Sequence, residues 1–101
     1  METPEKTIAE LERLGLSALE RDLFEFAVDM QVKGDLEREG AGREGFRARS
    51  NIYWSAAKEV SAILAKHLPH LSEHAVTRVD ELFEEERARR FKAHTANWPR
   101  R

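Results

Sequence analysis

The sequence predicts an all-α fold, a small helical bundle of one short and three longer helices that is completed by homo-oligomerisation. Apolar residues recur at the three- and four-residue spacing of amphipathic helices from Ile8 to Phe91, and no stretch alternates apolar and polar residues as a strand would. Charged residues make up 36% of the chain, above the usual share of about a quarter. The length of 101 residues corresponds to a single domain.

A short first helix is expected near the N-terminus. Thr3 is a candidate N-cap, and Pro4 would then occupy the first helical position, where a missing N–H costs nothing. A short apolar stripe through Leu11 follows. Gly15 can adopt the left-handed conformation that often ends a helix, so the helix should stop there.

The second helix has a stronger start signal. Ser17 and Glu20 have the spacing of a capping box, in which each side chain bonds the backbone N–H of the other residue. The helix carries two apolar stripes, and a helix that is apolar on two faces needs neighbours on both sides. The first stripe contains Leu16, Leu19, Leu23, Phe26, Ala27 and Met30, and the second contains Phe24, Val28 and Val32.

Glycines mark the next break. Residues 34–45 hold four of the five glycines of the chain, so the second helix is expected to end near Gly34, followed by a glycine-rich loop over about residues 34–43. The third helix should run from about residue 43 to residue 67, because Pro69 disfavours helical geometry in the residue before it.

The fourth helix is expected to begin at Ser72 as N-cap. Leu71 and Val76 flank this residue at the positions of a hydrophobic staple. The apolar signal weakens toward the C-terminus. We therefore expect one helical domain over residues 1–92 and a frayed basic tail over residues 93–101.

Charge is distributed in blocks. Residues 1–40 have a net charge of −6, residues 41–66 of +3, residues 67–86 of −5 and residues 87–101 of +6. Alternating blocks favour association between copies of the chain as readily as binding to a polyanion. The fourth helix also carries three acid–base pairs at helical spacing, which predict a solvated face: Glu84–Arg87, Glu85–Arg89 and Glu86–Arg90.

Several classes of protein are disfavoured by composition. The chain has no cysteine, which excludes a disulfide framework, a thiolate zinc site and a cysteine nucleophile. The acidic, polar N-terminus does not resemble a signal peptide, and no apolar run approaches the roughly 18 residues of a membrane span. We expect a cytoplasmic protein without a membrane partner.

The favoured function is a non-catalytic, homo-oligomeric interaction or regulatory protein that acts through helix–helix contacts. Three long helices and one short helix cannot easily bury all the apolar residues of a chain this size, and a symmetric homodimer is the commonest way to cover an exposed apolar surface. A further protein partner is compatible with this interpretation, and no cofactor is expected. The residues expected in the core and interface are Leu23, Phe26, Met30, Tyr53, Trp54, Leu82 and Phe83.

A nucleic-acid-associated regulator is the first alternative. Basic side chains neutralise phosphates and aromatic rings can stack on bases, but the isoelectric point of about 6.1 is low for a dedicated nucleic-acid-binding domain. The residues that would bind lie at the start of the third helix and in the C-terminal part of the chain: Arg43, Arg47, Arg49, Arg89, Arg90, Lys92, Arg100 and Arg101.

A metal site is the second alternative. His67, His70 and His74 are of the residue type that binds zinc or iron, but the break predicted around Pro69 keeps them off a common helix face. Only an oligomer interface would complete such a site. Catalysis is disfavoured, because no nucleophile, base and orienting group form a complete set.

Overall fold

The computed structural model describes the backbone of residues 3–41 and 44–96 and the side chains of residues 3–39 and 49–96. Within these ranges the chain forms four helices and no strand: α1 (Glu5–Leu14), α2 (Ala18–Ala41), α3 (Glu44–His67) and α4 (Glu73–Thr95). The helices have 10, 24, 24 and 23 residues, so the prediction of one short and three longer helices is confirmed. None of these described helices is both long and apolar enough to cross a membrane.

Local signals place several helix ends as predicted. The Ser17 backbone N–H donates to Glu20 Oε1 at 2.7 Å, and the Glu20 N–H donates to Ser17 Oγ at 3.2 Å, which completes the capping box. Gly15 follows α1 in the left-handed region with a φ of 105°. Ser72 caps α4 by accepting a hydrogen bond from the Ala75 N–H at 3.1 Å.

The start of α1 differs from the prediction, because the N-cap is Pro4 and no side chain caps the helix. The Thr3 hydroxyl instead donates to Glu25 and accepts a hydrogen bond from Arg90 at 2.8 Å. Thr3 is therefore engaged by a buried arginine of α4, a partner that the local sequence cannot reveal.

The predicted glycine-rich loop is also corrected, because α2 continues through its first part to Ala41. Gly34 is buried within the helix, and a Cβ added to it would lie 2.5 Å from Trp54 Nε1 of α3. Glycine at this position permits close approach of two helices rather than a turn. The next residues hold the helix in place, since Leu36 packs against the core and Glu37 pairs with Arg49.

Helix α2 is the centre of the fold. Helix α3 runs antiparallel along it, α4 packs on another side, and α1 lies at the edge of α4. Helices α3 and α4 have little contact with each other, and a groove remains between them. The core is formed by residues of all four helices and by two residues of the connections, Leu16 before α2 and Leu68 after α3. The helical members are Leu11 of α1, Phe24, Val28 and Val32 of α2, Leu64 of α3, and Val79 and Leu82 of α4.

Candidate functional site

The two apolar stripes of α2 have different surroundings. In the second stripe, Phe24 and Val28 are completely buried and Val32 is 3% exposed. The first stripe is divided, because Leu16 and Ala27 are 3% and 0% exposed, whereas Leu19 is 57% exposed and Phe26 is 50% exposed. Helices α3 and α4 therefore cover one side of α2 and leave a row of apolar side chains on the other side at the surface.

Helix α3 also exposes apolar side chains. Ile52 is 66% exposed and Ile63 is 46% exposed. These residues are eleven positions apart, close to three helical turns, so they share a face. Ala56 and Val60 are partly buried and lie on the same side of α3, nearer to the core.

The exposed rows of α2 and α3 lie side by side. The contacts Gly34–Trp54 and Glu37–Arg49 fix the antiparallel register of the two helices. Continuing this register toward the start of α2 places Phe26 beside the turn of α3 that carries Ile63. Helical periodicity puts both rows on the side of the α2–α3 pair that faces away from α4. We call this surface the hairpin face; its residues are Leu19, Leu23, Phe26, Met30, Ile52, Ala56, Val60 and Ile63.

The structure divides the seven residues that the sequence assigns to the core and interface. Three of them, Leu23, Phe26 and Met30, belong to the hairpin face, and Tyr53 is partly buried on α3. The other three lie away from this face: Trp54 packs against Gly34, Leu82 is in the core, and Phe83 packs against the core. The sequence-based set omits the strongly exposed members of the face, although their apolar character at helical spacing is visible in the sequence: Leu19, Ile52 and Ile63.

Trp54 contributes to a polar junction between three helices. Its Nε1–H donates to Asp35 Oδ1 at 3.0 Å, and the Arg38 guanidinium lies 5.5 Å from the centre of its ring. Arg87 of α4 donates to both oxygens of Asp35, at 2.7 and 2.9 Å, and these hydrogen bonds raise the pKa of Arg87. A cavity of about 340 Å³ opens beside this cluster, with Phe91 in its lining. Asp35 thus links α2 to both neighbouring helices.

The prediction of a solvated face on α4 is only partly right, because a second polar cluster on this helix is buried. The pair Glu84–Arg87 is at the surface at 3.5 Å, as the spacing predicts, but Glu86 and Arg90 are 3% and 1% exposed. Arg90 Nε donates to Glu86 at 2.8 Å, and its Nη2 donates to Glu25 as well as to the hydroxyl that precedes α1. Burial by itself would raise the pKa of Glu86, but hydrogen bonds from Arg89 and Arg90 outweigh it, and the pKa is lowered.

Of the basic residues of the nucleic-acid alternative, the four whose side chains are described do not form one open surface. Arg90 is buried, which corrects its assignment as a phosphate-binding residue. Arg49 pairs with Glu37 at 3.5 Å, and Arg89 binds Glu86. Lys92 is exposed. The remaining candidates lie outside the described side chains: Arg43, Arg47, Arg100 and Arg101.

The three histidines are exposed and do not converge. His70 Nε2 lies 3.7 Å from Glu20 Oε1, whereas His67 is on the last turn of α3 and His74 on the first turn of α4. Among the described side chains, those of residues 3–39 and 49–96, no three from histidine, aspartate or glutamate are grouped so that they could hold a metal ion.

The chain matches no protein-family model, and no significant match is found among the curated proteins or the solved structures. The functional proposal below therefore rests on the geometry of the chain alone.

Proposed function

We propose that the protein is a non-catalytic helical interaction protein that acts as a homodimer, with the hairpin face as the surface shared between copies. The observation that carries the proposal is the continuous apolar row on α2 and α3, where Leu19, Phe26, Ile52 and Ile63 are all at least 46% exposed. Contiguous apolar surface of this kind marks an interface in soluble proteins.

A second copy is the occupant that best fits this face. Each copy presents two antiparallel helices with apolar side chains along one side, so two copies packed face to face can form a four-helix bundle that buries both faces. Charged residues border the apolar row, including Asp29 and Lys33, which pair at 3.1 Å. A polar rim around an apolar centre is the usual composition of a protein–protein interface.

The mass in solution tests the proposal. Light scattering should give twice the chain mass of 11.7 kDa at tens of micromolar, and Phe26→Glu should yield a helical monomer. A carboxylate at the centre of the face would be desolvated on association, so dimerisation should weaken at least about a hundredfold. Ala62→Glu, at an exposed position of α3 outside the face, should remain dimeric.

Circular dichroism of each variant shows whether the helices are retained. A wild-type chain that is monomeric at these concentrations would refute the proposal. A Phe26→Glu variant that keeps its helices and remains a dimer would refute the assignment of the hairpin face.

A further inference from the structure

The groove between α3 and α4 lies on the other side of α2 from the hairpin face. It has a volume of about 710 Å³. Its base is Phe24, and Phe83 meets this ring edge to face at a centroid distance of 5.9 Å. The apolar side chains that line it come from α3, α4 and the turn between them: Leu64, Leu68, Leu71, Val76 and Val79.

The two rims of the groove differ. The α3 rim carries Ser61 and Ala65, one helical turn apart, and side chains this small permit close approach of another helix. The α4 rim carries Glu73, Asp80 and Glu84, which recur at the seven- and four-residue spacing of one helix face. No lysine, arginine or histidine is among the described residues that line the groove.

Two of the rim carboxylates form no ion pair with a described side chain. Glu84 is shared with Arg87, but no ion pair joins Glu73 or Asp80 to another side chain in residues 3–39 or 49–96. Both are exposed. An occupant that places cations along the α4 rim therefore gains attraction without breaking an existing ion pair.

We propose that this groove binds a basic amphipathic helix of a partner protein. The apolar side chains of the partner would fill the channel between α3 and α4 at i, i+3, i+4 and i+7 spacing, and lysine or arginine residues on one flank would face Glu73 and Asp80. The proposed occupant is a different protein, because a symmetric contact between two copies through this groove would place two acidic rims against each other.

Two synthetic peptides provide the first test. Both have about 16 residues and the same leucine face, with lysines flanking it in one and glutamates in the other. We expect saturable binding of the basic peptide to the wild-type protein by fluorescence anisotropy, at least about tenfold tighter than that of the acidic peptide at low salt. In NMR spectra the shifts should centre on Ala65, Val76 and Asp80.

Matched variants separate the groove from other surfaces. Ala65→Trp fills the channel from its rim and should weaken binding of the basic peptide at least about tenfold, whereas Ala62→Trp, on an outward-facing part of α3, should change it less than about twofold. Asp80→Lys should weaken binding about fivefold or more at low salt, and Glu59→Lys, on another side of α3, should not.

The proposal is overturned if neither peptide binds, if both bind equally, or if Ala65→Trp and Ala62→Trp have the same effect. It is also overturned if wild-type shifts at Ala65 and Val76 depend on protein concentration in the absence of peptide, since a second copy would then occupy the groove. The mass measurement above reports on the hairpin face separately, so either proposal can fail alone.

Discussion

Phe24 and Phe26 are two residues apart on the same helix, yet one is completely buried and the other is half exposed. They belong to the two apolar stripes of α2. Helices α3 and α4 pack against the stripe that contains Phe24, while α1 lies at the edge of α4 and leaves Leu19 and Phe26 of the other stripe exposed. One stripe of the helix is therefore entirely in the core, whereas the other is buried in part and keeps Leu19 and Phe26 at the surface.

The largest expected effect is the loss of stability on replacing a phenylalanine of the buried stripe by alanine, compared with the same substitution in the other stripe. Phe24→Ala should lower the free energy of unfolding by about 3–5 kcal/mol, because it leaves a cavity in a packed core. Phe26→Ala should cost less than about 1 kcal/mol in the monomer, because half of the ring is already exposed. Urea denaturation at a concentration low enough to keep the chain monomeric measures both. Equal losses would show that the two stripes do not differ as described.

A smaller effect is expected where α2 meets α3. Gly34→Ala should lower the free energy of unfolding by up to about 2 kcal/mol, because overpacking costs about 1–3 kcal/mol and the better helix propensity of alanine offsets only about 1 kcal/mol. The ring of Trp54 cannot easily move away, since Asp35 holds its Nε1. Lys33→Ala, on the exposed side of the same turn, should stay within about 0.5 kcal/mol. A more stable Gly34→Ala variant would contradict the close contact.

The smallest expected effect is a loss of stability at low pH. Acid protonates carboxylates but removes no side chain. The hydrogen bond from the Ser17 backbone N–H lowers the pKa of Glu20 from its ordinary value of 4.5, and those from Arg78 and from Arg89 lower the pKa of Glu10 and Glu86. A carboxylate whose pKa is lowered by folding contributes stability above its unfolded pKa, and this contribution is lost as the pH falls through the folded pKa.

Thermal unfolding between pH 7 and pH 3 should therefore show falling stability below about pH 4.5. Glu20→Gln should be less stable than the wild-type protein at pH 7, and the difference should narrow in acid. A constant difference across this range would show that ionised Glu20 contributes nothing to the capping box.

Local sequence predicted the ends of several helices because their signals act within a few residues. The hydrogen bonds of Ser17 with Glu20 and of Ser72 with Ala75 span one helical turn. Gly15 follows the same rule, because its left-handed backbone is a property of a single residue. The glycine-rich segment misled the prediction, since a glycine can end a helix or admit a neighbouring ring, and Gly34 does the second.

The site was less accessible to sequence reasoning. From their spacing, Glu84–Arg87 and Glu86–Arg90 were both expected on a solvated face. The first pair does lie at the surface, but the second is buried with Glu25 and Thr3. Periodicity showed that α2 has two apolar stripes without showing which one would be covered. The groove was not predicted, because it depends on the separation between two helices that both pack on a third.

The sequence by itself determined that the chain is helical and where most of its helices begin and end. It also determined that α2 carries apolar residues on two faces. These properties arise from interactions within about one helical turn. The tertiary structure decided which stripe of α2 became the core, which ion pairs were buried and where an acidic-rimmed groove remained. Those outcomes depend on contacts between residues far apart in the chain, and no local pattern encodes the distance between α3 and α4.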